Sequence, residues 1–289
     1  MTTPEPREYD VPVEGGTLHV GEWGPENGPV VVAVHGITAS HRSWIALARA
    51  LPEVRLIAPD LRGRGKSNGL GAPFGMASHA ADLEAMMAAL GIASAPIIGH
   101  SMGGFVALVA SQQYPKRFPK LLLVDGGLPL ELPEGMVVDE VMTATLGPAA
   151  ARLSMTFDSP EVYLEFWRQH PALSAEWNDD VEQYVLYDLQ GDRPATSFEA
   201  MAADSKDLYG SEEIATALSE LREFTLLTAP RGLQNEKPGL YPPAIAERWR
   251  RELPLATITE IPDVNHYTIV MGERGAQVIA SRVRPLIGG

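Results

Sequence analysis

The chain has 289 residues, 45% of them hydrophobic, and this combination excludes a disordered chain and fits one α/β domain with an insertion. Its formal net charge of −14 would repel phosphate groups, so we expect neither nucleic acid nor an anionic membrane surface as a partner. The absence of cysteine excludes disulfides, cysteine-ligated zinc and a thiolate nucleophile. The polar N-terminal segment lacks the features of a signal peptide, and we expect a cytoplasmic protein.

Short apolar segments that are rich in β-branched residues predict six buried strands along the chain. Nearly continuous apolar runs are typical of strands buried on both faces, as in a parallel sheet. Helical patterns lie between several of these segments, including residues 78–91, 102–114 and 242–253. This alternation predicts a doubly wound α/β sheet with right-handed crossovers. The predicted strands are residues 29–36, 54–60, 95–100, 120–126, 224–229 and 257–262.

A long segment without a convincing buried strand interrupts this alternation. We predict that residues 128–222 form a helical cap, inserted into an α/β core formed by residues 1–127 and 223–289. Such an insertion would cover the carboxyl ends of the strands, where open α/β sheets bind their ligands. Six aromatic residues of this cap segment could line a substrate pocket or form its own core: Tyr163, Phe166, Trp167, Trp177, Tyr184 and Tyr187.

The segment GHSMGG, residues 99–104, lies between a predicted strand and a predicted helix. It matches the pattern G-x-S-x-G, in which a sharp strand-to-helix turn exposes the serine. Small flanking residues avoid clashes in such a turn, and the N-terminus of the helix stabilises negative charge beside it. The segment therefore predicts Ser101 as a nucleophile.

A serine nucleophile needs a base and donors for the developing oxyanion. His266 follows the last predicted strand, and because parallel strands end at one edge of the sheet, this histidine can reach Ser101. The loop HGITAS, residues 35–40, follows another strand and can supply the backbone N–H of Ile37. The N–H of Met102, directly after the serine, is the expected second donor.

Four segments, HGITAS, DLRGRGKS at residues 60–67, GHSMGG and DVNH, resemble the α/β-hydrolase superfamily and occur in its order. The resemblance covers roughly residues 20–126 and 224–287 and leaves the cap segment unmatched. It implies a mostly parallel eight-stranded sheet with an inserted helical cap. It also implies Ser101 as nucleophile, His266 as base, and Ile37 and Met102 as oxyanion donors, with no metal or organic cofactor.

The third member of the expected triad departs from the superfamily's usual pattern. Most members carry the acid in the loop after the penultimate core strand, where this chain has Leu233. Asp125, at the end of the segment KLLLVD, matches the position that a minority of members use, including some dehalogenases and lactonases. We predict Asp125 as the acid, with Glu236 as the alternative and Asp263 as a third candidate.

The identity of the nucleophile narrows the implied reaction. Haloalkane dehalogenases and epoxide hydrolases of the superfamily carry an aspartate at the position of Ser101. The serine favours cleavage of a carboxylic ester or lactone through an acyl-enzyme. A thioesterase, an amidase and a C–C bond hydrolase with the same triad stay open. So does a slow or inactive, receptor-like protein that binds a small molecule, which the missing acid at the usual position favours.

Overall fold

The computed structural model describes residues 4–131, 135, 138–221 and 223–288. Within these residues, eight strands form one sheet in the order β1-β2-β4-β3-β5-β6-β9-β10, while β7 and β8 form a separate short hairpin. The pairs β1–β2 and β2–β4 are antiparallel, and the other pairs of the large sheet are parallel. The strands are β1 (Arg7–Val13), β2 (Gly16–Trp23), β3 (Val30–Val34), β4 (Arg55–Pro59), β5 (Ile97–His100), β6 (Leu121–Val124), β7 (Leu189–Gln190), β8 (Arg193–Pro194), β9 (Phe224–Thr228) and β10 (Ala256–Glu260).

Five of the apolar segments that predicted strands contain a parallel strand, and the sixth, 257–262, overlaps β10, which begins one residue earlier. The predicted doubly wound, mostly parallel, eight-stranded sheet is confirmed. Helices connect the strands. They are α1 (Ile45–Ala50), α2 (Met76–Ala89), α3 (Met102–Gln113), α4 (Val138–Leu153), α5 (Pro160–Arg168), α6 (Asp179–Asp188), α7 (Phe198–Asp204), α8 (Glu212–Glu220), α9 (Pro243–Glu252), α10 (Thr268–Met271) and α11 (Glu273–Ile287). Short 3₁₀ helices lie at His41–Trp44, Gly65–Ser67, Ser174–Glu176 and Ser205–Tyr209.

The hydrophobic core lies on both faces of the sheet. Alternate residues of a strand point to opposite faces, so Val32 and Val34 of β3 pack into one cluster and Val31 and Ala33 into the other. The first cluster includes residues of α2, α3 and α9, and the second includes residues of α1, α10 and α11. Because both faces are covered, the central strands β3 and β6 are apolar along their whole length.

Helices α4 to α8 and the β7–β8 hairpin lie between β6 and β9 in the chain. This is the segment for which the sequence predicts a helical cap, and the hairpin is its only strand pair within the described residues. The predicted division into a 128–222 cap and a core of 1–127 and 223–289 stays a prediction. Its residues 1–3, 132–134, 136–137, 222 and 289 lie outside the described residues.

The loop after β4, with the sequence DLRGRGKS, joins the core to the inserted segment. The hydroxyl of Tyr187, in α6, donates to Oδ2 of Asp60 at 2.6 Å. Arg64 donates through its guanidinium NH1 to the carboxylate of Asp204 at the end of α7, and both side chains are fully buried. These buried polar contacts fix where the inserted helices sit on the core.

Among the described residues, no helix is both long enough and apolar enough to cross a bilayer.

Candidate active site

Ser101 lies on a tight turn between the end of β5 and the start of α3, with a backbone φ of 54°. The turn leaves no space for side chains beside the serine. A Cβ on Gly99 would lie 2.0 Å from the carbonyl oxygen of Gly103, and one on Gly103 would lie 2.1 Å from that of Val34. A Cβ on Gly126, which follows β6, would lie 2.0 Å from the carbonyl oxygen of Ser101. Glycine at these positions is therefore a steric requirement of the turn.

The structure brings together the serine, histidine and aspartate that the sequence singles out. The Nε2 atom of His266 is 3.0 Å from Oγ of Ser101. Its Nδ1 atom is 2.7 Å from Oδ2 of Asp125. A carboxylate only accepts hydrogen bonds, so Nδ1 carries the proton and Nε2 presents a lone pair to the serine hydroxyl. This is the orientation that a general base needs.

Asp125 is held in place by the backbone of the neighbouring strand. It follows β6 with a positive φ of 45°, and it is fully buried. Its N–H donates to the carbonyl oxygen of Leu227 at 2.7 Å, and its Oδ1 accepts the N–H of Ala229 at 3.0 Å. The second carboxylate oxygen is left for His266. Strand β9 thus orients the acid although it does not supply it.

The other two candidate acids do not bond to His266 in the described structure. Glu236 is exposed, and its Oε2 accepts the N–H of Gln234 at 2.7 Å, which closes its own loop. The side chain of Asp263 is 80% exposed and lies 3.9 Å from Arg274. Asp125 is accordingly the carboxylate that contacts the histidine.

Two residues that the sequence analysis did not single out position the histidine. Asn265 accepts the N–H groups of Tyr267 and Thr268 at 2.9 Å through its Oδ1, so it caps the turn that carries His266. The sequence does indicate this role for Asn265, because asparagine often caps the N-terminus of a helix and Asn265 stands shortly before α10. The Nε2 atom of His100 lies 2.9 Å from the carbonyl oxygen of His266, and the two rings lie 4.7 Å apart.

The predicted oxyanion donors lie beside the serine. A Cβ on Gly36 would lie 3.5 Å from Oγ of Ser101, so the Gly36–Ile37 peptide closely approaches the nucleophile. The carbonyl oxygen of Gly36 lies 2.8 Å from Nδ1 of His35 and accepts the N–H of Ala39. In a trans peptide the N–H points opposite to the carbonyl, so the N–H of Ile37 points away from those partners. Met102 is the first residue of α3, where the N–H has no partner within the helix.

His35 is fully buried and helps to fix this loop. Burial lowers its pKa to about 4, so the imidazole is neutral at pH 7. Its Nε2 accepts the N–H of Leu61 at 2.9 Å, which places the proton on Nδ1, facing the carbonyl of Gly36. The neutral ring therefore joins the loops after β3 and β4 through two hydrogen bonds.

Two cavities adjoin at this edge of the sheet. The catalytic cavity, of about 60 Å³, is lined by Ser101, His266 and Ile37. The second cavity, of about 310 Å³, shares Thr38, Leu233 and Tyr267 with it. Of the six aromatic residues that the sequence singles out in the inserted segment, Tyr184 lines the catalytic cavity, Phe166 and Trp167 line the second cavity, and Tyr163, Trp177 and Tyr187 line neither. Tyr209 of the same segment also lines the catalytic cavity.

His19, His41 and Asp60 place possible metal-ligating atoms within 4.8 Å of one another. The Nε2 atoms of both histidines lie 3.4 Å from the carboxylate of Glu8. That carboxylate also binds Arg42 at 2.6 Å and Lys66 at 2.5 Å. Two fixed cations oppose the binding of a third, so this cluster is better suited to a structural network than to a metal ion.

Comparison with known proteins supports the fold. Residues 29–159 match the family model described as the alpha/beta hydrolase fold. A solved structure of E-2-(acetamidomethylene)succinate hydrolase superposes with a TM-score of 0.80, covering 98% of this chain and 99% of that one at 20% identity. At this identity the likeness shows the fold alone.

Two curated proteins match part of the chain more closely in sequence. The lipase LipV of Mycobacterium tuberculosis is 36% identical over 141 residues, which are 47% of this chain and 52% of the lipase. N-formylmaleamate deformylase of Pseudomonas putida is 33% identical over 161 residues, 52% of this chain and 57% of that enzyme. The match therefore spans about half the length of each of these relatives.

Proposed function

Because the chain has the α/β-hydrolase fold, we propose that it is a serine hydrolase that cleaves a carboxylic ester or lactone through an acyl-enzyme on Ser101. The observation that carries this proposal is the continuous hydrogen-bonded chain from Ser101 through His266 to Asp125, with distances of 3.0 and 2.7 Å. A serine on a strained turn, a histidine within hydrogen-bonding distance of it and a buried carboxylate that orients the histidine are the parts that nucleophilic acyl transfer needs.

In the proposed reaction, Ser101 Oγ attacks the acyl carbonyl while Nε2 of His266 takes its proton. The Asp125 carboxylate keeps the proton of Nδ1 in place and stabilises the imidazolium. The N–H groups of Ile37 and Met102 stabilise the oxyanion, together with the N-terminus of α3. His266 then protonates the leaving group, and a water molecule, activated by the same histidine, hydrolyses the acyl-enzyme. This chemistry needs no metal ion or organic cofactor.

The size of the catalytic cavity limits what can bind beside the serine. A volume of about 60 Å³ holds only a few water-sized spheres, so a small acyl group fits better than a long chain. We therefore place the larger part of the substrate in the second cavity. The substrate would be a small molecule, and we further propose a cytoplasmic location, which the cysteine-free sequence favours.

Amide hydrolysis is the second candidate function. One relative is named a lipase, and the other is named for removing a formyl group from N-formylmaleamate. A formyl group is the smallest acyl group, which agrees with the small catalytic cavity. The same serine and histidine would act on an ester or an amide, so substrate trials must include both classes.

The direct test is hydrolysis by the Ser101→Ala variant. We expect kcat to fall by a factor on the order of 10⁴ or more, measured on p-nitrophenyl esters of graded acyl length, lactones and N-formyl amides. Ser111→Ala is a matched control, because Ser111 lies in the same helix, α3, and lines neither cavity. The control should keep wild-type rates. Unchanged turnover in Ser101→Ala would refute the proposal.

A further inference from the structure

The second cavity adjoins the catalytic cavity and is large enough to hold most of a small substrate. The two cavities share the side chains of Thr38, Leu233 and Tyr267. A molecule with its scissile bond at Ser101 would therefore extend past these residues. The other residues that line the second cavity include Arg152, Trp167, His170 and Gln234.

Arg152 is the one charged residue that lines this cavity, and its side chain is 3% exposed. Its NH1 donates to the carboxylate of Asp188 and, at 2.6 Å, to the hydroxyl of Tyr163. The guanidinium carbon lies 5.0 Å from the centre of the Trp167 ring. These contacts fix the plane of the guanidinium group and use only one of its two terminal nitrogens.

The other terminal nitrogen, NH2, is buried and has no hydrogen-bond acceptor among the described residues. A buried charged donor without an acceptor is unfavourable, because it has lost its hydration and gained nothing in exchange. The nitrogen has almost no accessible surface, so an acceptor group on a bound molecule would satisfy it after a small shift of the side chain toward the cavity. A carboxylate suits the site, because a guanidinium group forms its strongest hydrogen bonds with such planar anions.

His170 adds a second donor to the same cavity. Burial, with a smaller effect of the charge on Arg152, lowers the pKa of His170 to about 4, so the ring is neutral at pH 7. Its Nδ1 accepts the N–H of Ala172 at 3.3 Å, which leaves the proton on Nε2. That nitrogen lies 3.4 Å from the side-chain amide of Gln234, which can present either its donor or its acceptor.

We propose that the second cavity binds a carboxylate carried by the substrate, with Arg152 as the main specificity-determining residue and His170 as an auxiliary donor. The inference rests on the proposed hydrolase function of Ser101, because it assigns the class of substrate to that reaction. The substrate class is then an ester or amide of small size that bears a free carboxylate away from the scissile bond.

The kinetic test compares free acids with their neutral methyl esters, after subtraction of the enzyme-free hydrolysis that the neighbouring carboxylate accelerates. The substrates are the mono-p-nitrophenyl esters of succinate, glutarate and adipate, each paired with its neutral methyl ester. For at least one chain length, we expect the wild-type kcat/KM to favour the free acid by about tenfold or more, mainly through KM. The Arg152→Lys variant keeps a positive charge beside Asp188 but loses the second terminal nitrogen of the guanidinium group. In this variant, the ratio of kcat/KM for the free acid to kcat/KM for its methyl ester should fall to about one.

Arg168→Lys is the matched control. Arg168 ends the same helix that carries Trp167, pairs with Glu182 and lines neither cavity. Its ratio should equal that of the wild type. Because the ratio compares two substrates on one protein, a partial loss of folded protein cancels. The inference is overturned if the methyl esters react as fast as the acids at all three lengths, or if both arginine variants give the same ratio.

A binding measurement separates failure of the subsite from failure of the proposed function. We would titrate succinate, glutarate and adipate into the Ser101→Ala protein by calorimetry, so that no turnover is involved. Binding of at least one diacid, weakened about tenfold by Arg152→Lys in the same background, is expected. Absence of binding by all three overturns the subsite. Absence of ester turnover in the wild type, with such binding intact, overturns the hydrolase function instead.

Discussion

The carboxylate of Asp125 lies 2.7 Å from Nδ1 of His266, although 141 residues separate them in the chain. The acid follows β6, whereas the histidine lies in the loop after β10. Strand β9, which lies between these two strands in the sheet, bonds to both the backbone and the carboxylate of Asp125. Asp125 is thus fixed by the strand after which, by the family resemblance, most members of the superfamily carry the acid.

The Asp125→Asn variant should lose a factor on the order of 10⁴ in kcat. An asparagine at this position no longer accepts reliably from Nδ1, so the histidine loses the tautomer and the charge stabilisation that a base needs. Glu236→Gln is the comparison, since Glu236 is exposed and bonds within its own loop. Steady-state kinetics on one ester gives kcat for both variants and for the wild type. A larger loss in Glu236→Gln would refute the assignment of the acid.

Gly126→Ala should destabilise the protein by more than about 2 kcal/mol and lower its activity. The added Cβ would lie 2.0 Å from the carbonyl oxygen of Ser101, so the nucleophile's own backbone must move. Gly69→Ala is the control, because no heavy atom lies within 4 Å of the Cβ built there. Urea unfolding and ester hydrolysis measure the two effects. Equal stabilities of the two variants would contradict this steric interpretation of the turn.

The stability gap between the wild type and His35→Gln should narrow as the pH falls from 7 to 4. Burial lowers the pKa of His35 from 6.5 to about 4, so in this window the unfolded chain binds a proton that the folded protein does not. As the pH falls, the free energy of unfolding of the wild type therefore decreases by up to about 3 kcal/mol through His35, a decrease that the glutamine variant does not show. Other titrating groups, including His41, cancel in the difference. Urea unfolding of both proteins between pH 7 and pH 4 measures this difference in stability. A difference that stays constant over the range would argue against a buried neutral His35.

Asp204→Ala should cost about 3–5 kcal/mol in the free energy of unfolding, since it leaves the fully buried Arg64 without its carboxylate. Asp204 also bonds to Nε2 of His79 at 2.9 Å and accepts the N–H of Gly75 at 2.6 Å. Asp192→Ala is the control, because the side chain of Asp192 is 68% exposed. Urea denaturation of both variants tests this, and a small effect of Asp204→Ala would show that the buried pair contributes little.

The sequence predicted those parts of the protein that depend on local patterns. The parallel strands follow from short apolar runs, and the position of Ser101 follows from small residues between a strand and a helix. His266 could be inferred because parallel strands end at one edge of the sheet. The sequence also predicted Asp125 as the acid through the family resemblance, but Glu236 stayed an alternative. The contact between Asp125 and His266 depends on the pairing of β6 with β9, which aligns Asp125 with Leu227 and Ala229 and is a long-range contact. The pairing of Arg152 with Asp188 inside the inserted segment likewise has no local signal.

A fluorophosphonate probe, with the adduct located by mass spectrometry in the intact protein, shows whether Ser101 is an activated nucleophile. We expect rapid stoichiometric labelling at Ser101, abolished in Ser101→Ala and strongly slowed in His266→Ala, whose serine has lost the histidine nitrogen 3.0 Å away. Ser111→Ala should label like the wild type. No labelling of the wild type, or labelling at the same rate without His266, would contradict the account and favour a protein that binds its ligand without turning it over.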